Sequence, residues 1–155
     1  MFIRKADEKD INSILNMAVM LHKQHETYST YYKLRHSFRS LINQYYISLL
    51  NDVSVHFIVA LINEEIVGYA YASIGKRGPY YQETMFGSLG EVFVSEEHRK
   101  KGIADKLIQE ILRWFRQHNV HYSELEVDSL NALALKKWQQ KGYVKFIEKM
   151  LLKLD

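Results

Sequence analysis

EVFVSEEHRKKGIADKLI, residues 91–108, reads as a strand that turns through a basic corner and leaves as a helix. The corner sets Arg99, Lys100 and Lys101 against Gly102 and Ala104 at the point where the helix starts. The first amides of a helix have no partner inside it, and the aligned peptide dipoles leave that end partly positive. Three cations added there invite an anion, and the small residues let backbone amides approach a bulky one. Ile103, Leu107, Ile108, Ile111, Leu112 and Phe115 form an apolar stripe that docks the helix on a sheet. A solvated basic turn with a conformational glycine fits the local residues equally well, so the surrounding chain has to decide.

Upstream, FIRKA reads as a first strand, and Asp7 caps a helix with Ile11, Ile14, Leu15, Ala18 and Leu21 at helical spacing. A second helix over 33–50 places Leu34, Phe38, Leu41, Ile42, Tyr45 and Leu49 on one side. VHFIVALINEEIVGYAYASI reads as a hairpin turning at Asn63, Glu64 and Glu65, and 75–87 reads as a loop around the one proline. Beyond it come a strand over 89–94, a helix over 102–118, the strand SELEV, a helix over 131–141 and a last strand in YVKFIEKMLLKL. Strands alternating with helices indicate an α/β layer arrangement with a mixed sheet.

Composition narrows the class. A chain of 155 residues, 47% hydrophobic and 13% aromatic, is expected to form a single domain over 1–155. The net charge of +3 is too small to imply nucleic acid. With no cysteine there is no disulfide, thiolate nucleophile or Cys-based zinc site. No apolar run approaches a membrane span and the start carries no signal core, so a soluble cytoplasmic protein is expected, with no membrane partner. Dinucleotide and ATP patterns fail: there is no G-x-G-x-x-G, and GKRGP at 75–79 lacks the remainder of a P-loop.

The strand followed by VFVSEEHRKKGIADKLI resembles the acetyl-CoA motif of the GNAT superfamily of N-acetyltransferases, whose Q/R-x-x-G-x-G/A signature is met by Arg99, Gly102 and Ala104. A second stretch, LEVDSLNALALKKWQQKGY, is similar to a later strand–helix pattern of that family through Glu126, Asn131, Ala134, Leu135, Gly142 and Tyr143. The likeness runs nearly end to end and is weakest over 22–50 and 75–87, the segments that cover the acceptor in that family.

The resemblance implies a mixed, largely antiparallel central sheet flanked by helices, in β-α-α-β-β-β-α-β-α-β order. It implies acetyl-CoA as co-substrate, with the backbone of Val92, Phe93 and Val94 bonding the pantetheine arm. Arg99 and the amides of Lys100, Lys101, Gly102, Ile103, Ala104 and Asp105 would hold the pyrophosphate, and Asn131 would touch the cofactor near its thiol. The expected activity is transfer of the acetyl group to a primary amine of a small molecule or protein by direct attack. A homodimer is compatible with it. A non-catalytic acyl-CoA-binding or regulatory module on the same fold is the alternative.

An amine attacks only when unprotonated, which for a lysine-like acceptor costs roughly 4–5 kcal/mol at pH 7. Glu91 and Glu126 are the two candidate bases, each on an apolar strand where burial is expected to raise its pKa; Glu91 is expected to share a face with Leu89 and Phe93. Trp138 stands where many members of the family have a tyrosine, and an indole donates a hydrogen bond without being an acid. His22 and His25 sit three apart without an evident third ligand, so no metal is expected. Tyr28, Tyr31 and Tyr32 either line an acceptor pocket or pack a helix.

Overall fold

Five strands carry the molecule in the computed structural model, which describes residues 1–154. They are β1 (Phe2–Lys5), β2 (Val55–Ile62), β3 (Glu65–Lys76), β4 (Met85–Val94) and β5 (Ser123–Glu124), in spatial order β1-β2-β3-β4-β5. The first three pairings are antiparallel and the β4–β5 pairing is parallel. Between β1 and β2 run α1 (Ile11–Glu26) and α2 (Phe38–Leu50); α3 (Ile103–Gln117) follows β4, and α4 (Ala132–Gln140) follows β5. This is the mixed, largely antiparallel sheet flanked by helices that the sequence implies.

Side-chain alternation splits the core into two layers. Phe57, Val59, Tyr69 and Phe93 face Ile14, Ala18 and Tyr46 on α1 and α2. Ile58, Ala60, Ala70 and Ala72 face Leu107, Ile111 and Phe115 on α3. The entry to α1 is fixed by Asp7, which accepts from the Lys9 amide, while the Asp10 carboxylate accepts from the Asp7 amide at 2.9 Å. Asp10 also takes two hydrogen bonds from the Arg4 guanidinium, at 2.6 and 2.8 Å, which ties α1 to β1.

The β2–β3 hairpin turns at Asn63 and Glu64, both with positive φ, as its two-residue loop requires. Four expectations shift. The loop expected over 75–87 shrinks to 77–84, because Gly75 pairs with Phe86 and Lys76 with Met85. The second helix begins at Phe38, after a short 3-10 turn at Thr30–Tyr32. Its buried residues are Ile42 and Tyr46, whereas Leu41 and Tyr45 are exposed, because the Tyr46 hydroxyl finds a buried acceptor in Glu91. The final strand of the expected order does not form: residues 144–154 join no ladder, and a strand needs a paired neighbour.

A bulge in β4 corrects the remaining expectation. Tyr71 pairs with Glu91 and Ala72 with Leu89, so Gly90 is left over. A side chain at Gly90 would sit 2.1 Å from the Tyr71 ring, so only glycine fits the bulge. The extra residue reverses the face: Leu89 points to the α3 layer, while Phe93 lies in the α1–α2 layer. Glu91 therefore shares its face with Phe93 and not with Leu89.

Candidate active site

The parallel pairing of β4 and β5 covers only Gly87 with Ser123 and Ser88 with Glu124. From Leu89 onward one edge of β4 has no strand beside it, although its other edge stays paired with β3 through Gly68 and Val94. Backbone groups alternate along a strand, so Val92 and Val94 present theirs on the open edge, as an extended polar chain would need, whereas those of Phe93, expected to join them, turn to Tyr69 on β3. One of these is partly engaged: Arg99 Nε donates to the Val94 carbonyl at 3.1 Å, and its guanidinium lies 5.5 Å from the centre of the Phe93 ring. Arg99 accordingly braces the end of β4.

At the far end of the groove the chain reverses through Lys100, at φ 61°, and Gly102, at φ 75°. Positive φ at both residues turns successive amides to one side, forming a concavity for an anion. The amides of Lys100, Lys101, Gly102, Ile103, Ala104 and Asp105 have no backbone acceptor among the described residues, and Gly102 has no side-chain cap. Nothing lies within 4 Å of where a Gly102 side chain would begin. The Ile103 side chain is buried beneath α3, which holds the turn on the sheet. Asp105, the one acid in this turn, is paired with Lys141.

Where the groove begins, Glu91 is nearly enclosed, with its side chain 11% exposed. Its Oε2 accepts from the Tyr46 hydroxyl at 2.6 Å and the Tyr69 hydroxyl at 2.7 Å. His22 Nε2 lies 3.2 Å from Oε1. That contact is an ion-pair approach set off the line of a hydrogen bond, and this nitrogen has no other polar partner among the described residues. Burial alone raises the Glu91 pKa, but His22, Tyr46 and Tyr69 together outweigh it and hold the carboxyl below its usual value. The direction is opposite to the one expected from an apolar strand. Tyr46, Tyr69 and Tyr71 are pushed up by burial and by the Glu91 charge, so they stay protonated and act as donors. Burial and the neighbouring His22 push His25 down.

The other candidates fall elsewhere. Glu126 lies past the end of β5 and is exposed, so the enclosed strand position expected for it is not found; β5 ends at Glu124 because β4 has already diverged. Asn131 caps α4, its Oδ1 accepting from the Ala134 amide at 3.1 Å. Trp138 packs partly buried against the α3 layer and edge-on to Tyr143. Tyr31 is exposed, and Tyr28 and Tyr32 lie beside His25. Tyr46, Tyr69 and His22 are the members of the Glu91 cluster that sequence reasoning did not assign to it. The available signal was a polar tip on residues of otherwise apolar faces, which becomes readable only once a buried acceptor is known.

A family model for the acetyltransferase (GNAT) family matches residues 18–143. The fold is similar to that of a tetramutant of the BH1408 protein from Bacillus halodurans, with TM-score 0.90 at 20% identity over 99% of this chain and 100% of that one. It is also similar to a predicted acetyltransferase from Clostridium acetobutylicum solved with acetyl-CoA, with TM-score 0.77 at 19% identity over 98% and 95% of the two chains. The aminoglycoside 6'-N-acetyltransferase AAC(6')-IG from Acinetobacter haemolyticus gives TM-score 0.77 at 18% identity over 100% and 99%. No curated protein matches the chain. At these identities the structures establish the fold, and the family model, which spans most of the sequence, establishes the kinship: the chain belongs to the GNAT acetyltransferase family.

Proposed function

We propose that the chain transfers the acetyl group of acetyl-CoA to a primary amine by direct attack in a ternary complex, with Glu91 on the proton path. The observation that supports this most is the position of Glu91. An ionised carboxylate, enclosed and held by two tyrosines and a histidine, stands one residue before Val92 within the stretch of β4 that has an open edge.

The open edge at Val92, with the unused hydrogen-bonding capacity of Val94, suits the amide-bearing pantetheine arm. The amides of residues 100–105 suit the diphosphate. Lys100 and Lys101 are exposed and add charge there. In the reaction the amine nitrogen bonds to the thioester carbonyl carbon, the carbon–sulfur bond breaks, and the electron pair leaves on sulfur. The amine's proton passes to the Glu91–His22 pair, directly or through a water. A carboxylate with a lowered pKa takes that proton weakly by itself. The His22 ring nitrogen, 3.2 Å from Oε1, gives the proton a second group to pass to, so the pair serves the amine better than the carboxylate alone. Expelling a thiolate of pKa about 8.5 costs roughly 2 kcal/mol at pH 7, so Trp138 in place of an acid leaves the reaction accessible.

Glu126 is assigned no part in the proton transfer. The acceptor is an amine in a panel that includes α-amino groups, lysine side chains, polyamines and, from the fold neighbours, an aminoglycoside. Incubating the protein with acetyl-CoA and each amine, then measuring free thiol and the mass of the product, tests the reading. One acceptor gaining an acetyl group, with thiol released in equal amount, is expected. Thiol release without any acetylated amine would overturn it.

A further inference from the structure

The Glu91–His22 pair, on which the proposed acetyl transfer rests, is asymmetric at the level of single atoms. His22 lies one turn beyond Ala18 on the buried stripe of α1, where the spacing calls for an apolar side chain. Its ring is held between Phe38, edge-on at 5.2 Å, and His25, edge-on at 5.6 Å. The two ring nitrogens have different surroundings. Nε2 is buried and faces Glu91 Oε1 at 3.2 Å. Nδ1 is neither buried nor hydrogen-bonded among the described residues, and the 22% of the side chain that stays exposed includes it.

We infer that within this pair His22 takes the amine's proton, on Nδ1, and that Glu91 is a positioning residue that holds Nε2 and stays ionised throughout. The carboxylate has little left to offer an amine. Its Oε2 already accepts from Tyr46 at 2.6 Å and Tyr69 at 2.7 Å, and its Oε1 faces His22, with the Tyr71 hydroxyl 3.5 Å away. A proton arriving there would displace a donor from a buried oxygen, whereas Nδ1 receives one without breaking any contact. The carboxylate also selects the tautomer. A negative charge beside Nε2 favours the ring that carries its proton on that side, because a lone pair turned toward the charge is repelled; the free pair then sits on Nδ1.

The charge formed on the ring is compensated where it arises. Protonated on both nitrogens, His22 lies against ionised Glu91 in a nearly enclosed site, where opposite charges attract more strongly than in water. The hydroxyls around the pair are uncharged: Tyr46 on α2 and Tyr69 and Tyr71 on β3 stay protonated. Burial and a charged His22 both push His25 on α1 down, against a weaker upward pull from Glu91 and Asp128, so no second cation forms beside the first. In the transfer the amine's lone pair becomes the nitrogen–carbon bond, its proton moves to Nδ1, and the carbon–sulfur bond breaks with its electrons on sulfur. The imidazolium then gives the proton to solvent through the same exposed nitrogen.

The first test is spectroscopic and needs no substrate. Nitrogen–proton correlation spectra of the isotope-labelled full chain read which ring nitrogen of His22 carries the proton. A proton on Nε2 with Nδ1 bare is expected at the pH of the assay, and Glu91→Gln, which removes the charge, should let the Nδ1–H form appear. A proton on Nδ1 in the wild type, or a tautomer indifferent to Glu91→Gln, would overturn the inference. The second test is steady-state transfer. His22→Gln should lower kcat roughly a hundredfold or more, with the KM for acetyl-CoA within about twofold of wild type. The double variant His22→Gln, Glu91→Gln should fall no more than about threefold below His22→Gln alone, because the two residues act as one unit. A near-normal kcat for His22→Gln, or losses that multiply in the double variant, would overturn the assignment and leave the acetyl transfer standing. A wild type that acetylates no amine would overturn the proposed activity itself, and this inference with it.

Discussion

Glu91 has to be ionised to hold its two tyrosines and His22, and this links it to stability as well as to chemistry. Its pKa is lower in the folded state than in the unfolded chain. Its contribution is therefore fully present above the unfolded value, near 4.3, and is lost as pH falls through the lower folded value. Glu91→Gln should flatten the acid side of a stability–pH curve measured by urea unfolding; an unchanged acid side would contradict the assigned shift. Asp10 behaves in the same sense, since Arg4 and the Asp7 amide hold its carboxyl down despite burial. Replacing it with Ala leaves Arg4 unpaired and the start of α1 uncapped. A loss of about 2–4 kcal/mol is expected in chemical denaturation, and a loss within 0.5 kcal/mol would show the pair to be idle.

At the scale of elements, the turn before α3 joins two requirements in one glycine. Gly102 adopts φ 75°, and the space beside it is open. Gly102→Ala should cost only about 1 kcal/mol of stability, the price of a left-handed conformation for a residue with a Cβ. Gly102→Glu adds bulk and negative charge where a diphosphate would sit. For the wild type, CoA at a hundred times its Kd should raise Tm by about 5–10 °C. The Glu variant should lose that shift while staying folded, and a retained shift would place the ligand elsewhere. The support under the turn can be tested separately. Leu107 is fully buried against the sheet, and Leu107→Ala should cost about 2–5 kcal/mol through the cavity it leaves.

Across the whole molecule, what the sequence made legible follows the reach of each signal. Period 2 and period 3.6 located β2, β3 and α3, because those elements bury one face against the sheet or within it. The bulge at Gly90 was hidden, since a glycine inside a strand does not announce which register it breaks; with it was hidden the face on which Glu91 lies. The Tyr46–Tyr69–His22 cluster was hidden because its members come from α2, β3 and α1 and meet only in three dimensions. The last strand was legible as a pattern but has no pairing among the described residues. No helix among the described residues is long and apolar enough to cross a membrane, in line with the apolar runs read from the sequence.

These scales meet in the acetyl transfer itself. Glu91 stands on the strand whose open edge leads to the basic turn, and Glu126 stands exposed beyond β5. The measurement that separates binding from chemistry is steady-state acetyl transfer to a lysine-like amine by the wild type, Glu91→Gln and Glu126→Gln, with kcat and the KM for acetyl-CoA determined for each. Glu91→Gln is expected to lower kcat roughly a hundredfold or more, with the KM for acetyl-CoA within about twofold of wild type, and Glu126→Gln to retain most of kcat. A Glu91→Gln enzyme with near-normal kcat, or a loss confined to Glu126→Gln, would contradict the account.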